Sequence, residues 1–347
     1  MPTDTQTSSS SAPEFVDRSS TNPILAKTRL GMGCWAIGGP FWNGKEPVGY
    51  ANVDDATSLA TLQAAYDGGI RLFDTAAVYG AGHSERLVGK ALGGRDDVII
   101  STKFGIAFDE DSKQMLGPWD DPATVRAQLD ASRKRLGRDV LDLVFLHLNS
   151  LPIEDAKRLF DALETARTEG IVTSYGWSTD FPERAEALTG LSSNVAVQHA
   201  MNLFFDAPSM IGVAEAHNLA SFNRSPLAMG LLTGKFSAGE TIPADDIRHN
   251  SYAWMDYFKD GQVEASFIKQ LDAVRALLTS GGRSLAQGAL GWLWAKSPST
   301  VPIPGARTPE QAQHNAQALQ FGPLPQQVMD EIEQVLQRPP EGPARER

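Results

Sequence analysis

The sequence predicts an α/β fold, a single (β/α)8 TIM barrel, on three observations. Eight apolar runs of strand length alternate with helical patterns, and the runs are apolar throughout, as strands covered on both faces of a parallel sheet are. About 300 residues hold all of them without a linker, which favours one barrel over two small domains. An open doubly wound sheet is the alternative architecture, because pattern alone does not show closure.

In chain order the runs are 30–35, 71–75, 98–102, 141–147, 171–177, 195–198, 219–222 and 300–303. Helical patterns occupy 53–67, 84–92, 122–136, 153–169, 182–188 and 308–319. The third shows its own boundaries: Pro122 suits a first turn, Val125, Leu129 and Leu136 lie near one stripe, and Gly137 follows Arg133, Lys134 and Arg135. Residues 1–22, rich in Ser and Thr, and 337–347, with Pro339, Pro340 and Pro343, have little to bury. They are expected to be disordered tails around a barrel domain spanning 23–336.

Of the 347 residues 41% are hydrophobic and 21% charged, which excludes the disordered, collagenous and disulfide-stapled classes. Lys and Arg number 31 against 42 Asp and Glu, a net charge of −11, so neither nucleic acid nor an anionic membrane surface is an expected partner. Cys34, the single cysteine, has no internal disulfide partner. With no membrane-length apolar run and no signal-peptide pattern, a cytoplasmic location is expected.

Gly31, Gly33 and Ala36 fit the spacing of a dinucleotide-binding fingerprint, but that motif needs a helix N-terminus at once. The chain runs on through Ile37-Gly-Gly-Pro, so these glycines end a strand and feed a loop on which Trp35 faces a ligand. More informative is where polar residues interrupt strands. Asp74 ends one run with Tyr79 in the loop after it, Lys103 ends the next, and His147 the third. On a barrel those ends share one mouth, where active sites are built. An ammonium beside a tyrosine favours phenolate, a carboxylate fixes the ammonium, and an imidazole hydrogen-bonds a substrate oxygen. Such a set protonates a carbonyl oxygen while a nicotinamide delivers hydride, which no side chain supplies. Metal ligation is not expected, since the six histidines are scattered and no cysteine pair exists. A serine hydrolase lacks its nucleophile elbow.

The segments GGIRLFDTAAVYGAGHSERLVGKAL (68–92), STKFG (101–105), LDLVFLHLN (141–149), YGWSTDF (175–181), VQHAMNLF (197–204), SPLAMGLLTGKF (225–236) and VPIPGARTPEQAQHNAQAL (301–319) together resemble the aldo-keto reductase superfamily, from about residue 30 to 319. The resemblance implies a (β/α)8 barrel with NAD(P)H across its C-terminal mouth. It also implies Tyr79 as general acid and base, Lys103 and Asp74 tuning it, and His147 orienting the carbonyl. Ser178 and Gln198 match the positions that hold the carboxamide. Ser225, Pro226, Leu227 and Met229 match the loop along the pyrophosphate, with Lys235 nearby and Arg248 as a lid clamp. Gly305, Arg307, Gln311 and Asn315 match the grip on the adenosine end. Arg307 is the candidate for a 2′-phosphate, which favours NADPH over NADH. Three positions depart from the family's pattern: Thr179 stands where many members carry Asn, Arg224 where many carry Tyr or Trp against the nicotinamide, and His314 in place of a common Glu.

Trp35, Phe104, Trp119 and Trp254 are expected around the substrate, an aldehyde or ketone. The expected activity is reversible NADPH-dependent reduction of that carbonyl to an alcohol; the oligomeric state is open. One rival is a cofactor-sensing regulatory subunit, as in the potassium-channel beta subunits that the chain also resembles, against which His147 argues. A barrel isomerase or lyase without nicotinamide is a second, and it leaves the turn from Gly305 to Asn315 without a purpose.

Overall fold

The structure is a computed structural model that describes residues 15–243, 246–250, 252, 254–336, 338 and 340–342. Eight parallel strands form one sheet in sequence order: β1 (Met32–Gly33), β2 (Leu72–Asp74), β3 (Ile99–Phe104), β4 (Leu141–Leu146), β5 (Val172–Ser178), β6 (Asn194–Ala200), β7 (Ala220–Arg224) and β8 (Thr300–Pro302). The sheet closes on itself. Gly31 N donates to Pro302 O and Gly33 N to Pro304 O, both at 3.0 Å, and Gly33 bridges Gly305 in parallel. A Cβ on Gly33 would lie 2.7 Å from Ile303 O, so glycine is what lets the first and last strands meet. The open-sheet alternative is thereby excluded, and of the apparent dinucleotide motif Gly31 leads into β1, Gly33 ends it and Ala36 lies in the turn that follows.

Alternation along the strands splits the core into two layers. Leu72, Ile99, Leu143, Ala220 and Val301 cluster inside the barrel, whereas Phe73, Ile100, Val144, Leu146 and Tyr175 point out beneath the helices. Ile24 and Leu25 belong to the same inner cluster as Leu72 and Ile99, the first residues of β2 and β3. The expected N-terminal tail is therefore corrected over 15–22. The Phe15 ring lies 4.8 Å from that of Trp294, and buried Asn22 donates to the carbonyls of Val195 and Asn218, both at 2.7 Å. Its first fourteen residues lie outside the described ones. At the other end Arg338 donates to Leu203 O at 2.7 Å and Glu341 accepts from Ser209 Oγ at 2.5 Å, so these two residues of the expected tail are docked on the barrel. Positions 337, 339 and 343–347 lie outside the described residues.

Six helices occupy the expected places: α1 (Asp55–Asp67), α2 (His83–Leu92), α3 (Val125–Leu136), α4 (Ile153–Thr168), α5 (Pro182–Glu186) and, after three others, α9 (Pro309–Ala316). Four more were not marked by sequence pattern: α6 (Pro208–Ala216), α7 (Ala265–Leu278), α8 (Leu285–Lys296) and α10 (Gln326–Val335). The reason is plainest for α8, where every residue from Leu285 to Trp294 is buried, so no polar face marks a period. Its start is nonetheless signalled by a capping box between Ser284 and Gln287. Two loops over the mouth also build a small sheet. Ile106–Asp109 and Gln114–Pro118 form an antiparallel hairpin, whose Gln114 pairs with Trp42 of a short ribbon, Trp42–Asn43 against Glu46–Pro47. Among the described residues no helix is long and apolar enough to cross a membrane.

Candidate active site

The C-terminal ends of the strands carry polar residues at the inward register: Asp74 on β2, Ser101 and Lys103 on β3, Ser178 on β5, Gln198 on β6 and Arg224 on β7. Asp74 and Ser101 are register partners, as are Ser178 and Gln198. Lys103 and Asp74 are only 1% and 3% exposed, which makes their pairing obligatory, since an isolated buried charge is costly. Lys103 Nζ lies 2.7 Å from Asp74 Oδ2 and donates to Thr75 O at the same distance. The Asp74 Oδ1 atom accepts from Ser101 Oγ at 2.8 Å and Gln198 Nε2 at 2.9 Å. Burial presses the Lys103 pKa down, but the Asp74 carboxylate and the Tyr79 hydroxyl outweigh it and hold the ammonium above its ordinary value.

Tyr79 stands on the turn after β2, its ring 4.8 Å below Lys103 Nζ. The turn is fixed by Thr75 Oγ1, which donates to Ser84 Oγ, and by Ser84 Oγ, which donates to Cys34 O, both at 2.8 Å. His147 follows β4, its backbone N–H held by Phe104 O at 2.8 Å, and its ring meets Tyr79 edge-on with centroids 5.9 Å apart. All four expected catalytic residues thus come together. Trp35 covers Tyr79 at 6.1 Å, and Trp254 approaches Trp35 at 6.3 Å while stacking on Tyr252 at 5.5 Å. Trp119 lies beyond the hairpin at 38% exposure, anchored through its backbone to Gly105 O. Phe104 is corrected: it alternates with Lys103, points out of the barrel and is buried in the layer beneath the helices, so it does not line the mouth.

Of the residues expected around a cofactor, Ser178 Oγ reaches Gln198 Oε1 at 3.4 Å, and both are fully buried. The Thr179 hydroxyl donates to Asn149 O at 2.7 Å and accepts from Phe181 N. Arg224 pairs with Asp180 at 2.9 Å in place of an aromatic face. The segment after β7 turns sharply, with Ser225, Ala228 and Met229 all at φ near +50°. Pro226 is buried, and the Leu227 side chain packs into the core, leaving only main chain to a ligand. Lys235 Nζ and an Arg248 guanidinium nitrogen both come to Gly230, 3.6 and 3.7 Å from where its Cβ would be. Arg248 also donates to Met229 O and pairs with Asp246. Desolvation, then the nearby Arg248 guanidinium, holds the Lys235 ammonium below its usual range.

Arg307 donates to Ala51 O at 2.8 Å and Asn52 O at 3.1 Å, while its backbone N–H donates to Gln311 Oε1. Asn315 Nδ2 reaches Gly305 O at 3.4 Å. His314 Nε2 pairs with Ser284 Oγ, at the start of α8. Sequence reading missed Ser101 and Tyr50. Ser101 was legible, two residues before Lys103 and hence on the same strand face. Tyr50 carried no signal; its ring stands between Trp35 at 5.3 Å and the Arg307 guanidinium at 5.6 Å. Among the described residues no cluster of three His, Cys, Asp or Glu side chains is placed to hold a metal.

Residues 29–337 match the profile of the aldo/keto reductase family. Aldo-keto reductase YhdN of Bacillus subtilis is 32% identical over 295 residues, covering 83% of this chain and 83% of that protein. The fission yeast Schizosaccharomyces pombe has a relative, aldo-keto reductase yakc [NADP(+)], that is 27% identical over 78% of this chain and 80% of its own. Glycerol dehydrogenase AKR11B4 from Gluconobacter oxydans has a solved structure that matches with a TM-score of 0.73 and 29% identity, over 89% of this chain and 91% of that one. With a profile match that runs across all eight strands and a barrel whose polar groups meet at its mouth, this chain belongs to the aldo/keto reductase family.

Proposed function

We propose that this chain reduces an aldehyde or ketone to the alcohol, reversibly, with NADPH as the reductant. The observation that carries the proposal is the Lys103 ammonium held between Asp74 and Tyr79 at the barrel mouth. Two of its three N–H bonds go to Asp74 Oδ2 and Thr75 O, which leaves one for the phenolic oxygen. Tyr79 gives its proton to the carbonyl oxygen as that oxygen gains charge, and the phenolate left behind is neutralised by the ammonium. His147, edge-on to Tyr79, shares the same carbonyl oxygen and fixes its direction. In the reverse direction the phenolate takes the proton from the alcohol.

The chain's donors fit a nicotinamide dinucleotide. Ser178 and Gln198 offer a hydroxyl and an amide for the carboxamide, while Lys235, Arg248 and Arg307 bring three cations to one edge, a set suited to phosphates. When bound, the reduced nicotinamide supplies the hydride, and the proton still comes from Tyr79. The name of the fission yeast relative, which includes NADP(+), supports the same cofactor.

The test is quenching of tryptophan fluorescence by NADPH and NADH, followed by a panel of aldehydes and ketones read at the reduced-nicotinamide band. Tight NADPH binding with turnover is the expected result. Binding without turnover on any member supports a sensor instead, and no binding of either cofactor overturns the reading. Arg307→Ala is expected to weaken NADPH about tenfold or more while changing NADH little, the scale of one charged hydrogen bond. Equal losses would remove the arginine from the 2′-phosphate.

A further inference from the structure

Asp74 is tied down by more than its lysine. Its two oxygens are engaged separately, with Oδ2 facing Lys103 Nζ at 2.7 Å and Oδ1 held by Ser101 Oγ at 2.8 Å and Gln198 Nε2 at 2.9 Å. Both donors are wholly buried and come from opposite sides, Ser101 from the neighbouring strand and Gln198 from across the barrel. Neither bond is a consequence of the sheet ladder. Buried polar side chains are expected to be hydrogen-bonded, and these two spend a bond each on one carboxylate oxygen.

We propose that Ser101 and Gln198 are positioning residues that cradle Asp74 Oδ1, aim Oδ2 at Lys103, and so set the proton affinity of Tyr79. The inference rests on the assignment of Tyr79 as proton donor, and it gives Gln198 a role beyond the carboxamide. A carboxylate that loses one donor keeps more of its negative charge. That charge binds the Lys103 ammonium harder and leaves less of its field for a phenolate, so Tyr79 gives up its proton less readily. The ionisable groups around the carboxylate are Lys103 on β3, Tyr79 on the turn after β2, His147 after β4 and the buried Cys34 thiol after β1, whose pKa is pushed up by burial and then by Asp74. Oδ1 takes its two bonds from the uncharged donors Ser101 and Gln198.

The test begins with the protein free of cofactor. Ionisation of Tyr79 is followed by tyrosinate absorbance as the difference from Tyr79→Phe, for the parent chain, Ser101→Ala and Gln198→Leu. Both variants are expected to raise the midpoint by about half a pH unit, the scale of one lost donor acting through a neighbouring charge. The alkaline limb of kcat should move with it. Ser101→Ala should leave NADPH affinity as it is, and Ser101→Thr, which restores a hydroxyl, should return the midpoint. A midpoint unmoved in Ser101→Ala overturns the cradle, even if Gln198→Leu moves it. If the parent chain reduces no carbonyl, the proposed function fails while this titration still decides the cradle.

Discussion

Two regions at the same end of this barrel are built on different terms. Asp74, Ser101, Lys103 and Gln198 sit on strand ends, none more than 3% exposed, with their polar atoms paired to one another at 2.7–2.9 Å. The rings above them come from loops and are half-buried: Trp35 Nε1 donates to Val48 O at 3.1 Å, and Tyr252, under Trp254, donates through Oη to Pro47 O at 2.6 Å and accepts from Asn250 Nδ2 at 3.2 Å. A sheet fixes its side chains through many ladder bonds, whereas a loop fixes them through a few. The groups that hold Lys103 therefore occupy the part of the molecule with the least freedom, Tyr79 and His147 stand at its edge just after β2 and β4, and the rings above occupy the part that tolerates change.

The comparison breaks first at its strongest claim. Tyr79→Phe removes one oxygen and no packing volume of consequence, and kcat is expected to fall by about two to four orders of magnitude with NADPH affinity nearly unchanged. A variant that kept a tenth of the parent's kcat would take the proton from some other group. Lys103→Met tests rigidity in the same ring. It strands a buried carboxylate without its cation, and urea unfolding should show a loss of about 3–5 kcal/mol. Adding Asp74→Asn should recover most of that loss. No recovery would mean that Lys103 stabilises the barrel through packing of its stem alone.

Why the strand ends were legible in the sequence, and the lid of loops above them only in Trp35 and Trp254, follows from the same physics. Asp74, Lys103 and His147 each interrupt an apolar run at its end, and alternation along a strand is short-range, so one sequence suffices to put them on one mouth. The same alternation should have excluded Phe104, adjacent to Lys103 and hence on the other face. Closure of the sheet was invisible because it depends on Gly33 meeting the carbonyl of Pro304, about 270 residues away in the chain. The lid depends on contacts of that kind throughout: Tyr50 reaches Arg307, and Trp42 pairs with Gln114. The α8 helix, buried from Leu285 to Trp294, had no polar face to mark it, and Asn22 was read as tail because its two carbonyl partners belong to distant parts of the chain.

The lid itself should answer more softly. Trp254→Ala removes one ring, packed on Trp35 and Tyr252, from the wall above Tyr79. For an aromatic aldehyde KM is expected to rise about tenfold, the scale of one aromatic contact, with kcat within about twofold. A small aliphatic aldehyde should be affected less. Equal rises for both would mean that the ring shapes the mouth without contacting the substrate.

The smallest effect is expected where the hairpin over the mouth is fastened to the barrel. Glu110 takes Arg86 at 2.8 Å and Arg135 at 3.2 Å, while Arg135 also holds the buried carboxylate of Glu85 at 2.6 Å. The two carboxylates share a cation but not an environment, since Glu85 is inaccessible and the Glu110 side chain is 46% exposed. Exposed pairs are worth little, so Glu110→Gln should cost less than about 1 kcal/mol in global stability. Amide exchange in Ile106–Asp109 and Gln114–Pro118 should nevertheless quicken, because that fastening is one of the few contacts local opening has to break. A global loss above about 2 kcal/mol would put the hairpin on the same footing as the strand ends, and the contrast between the two regions would not stand.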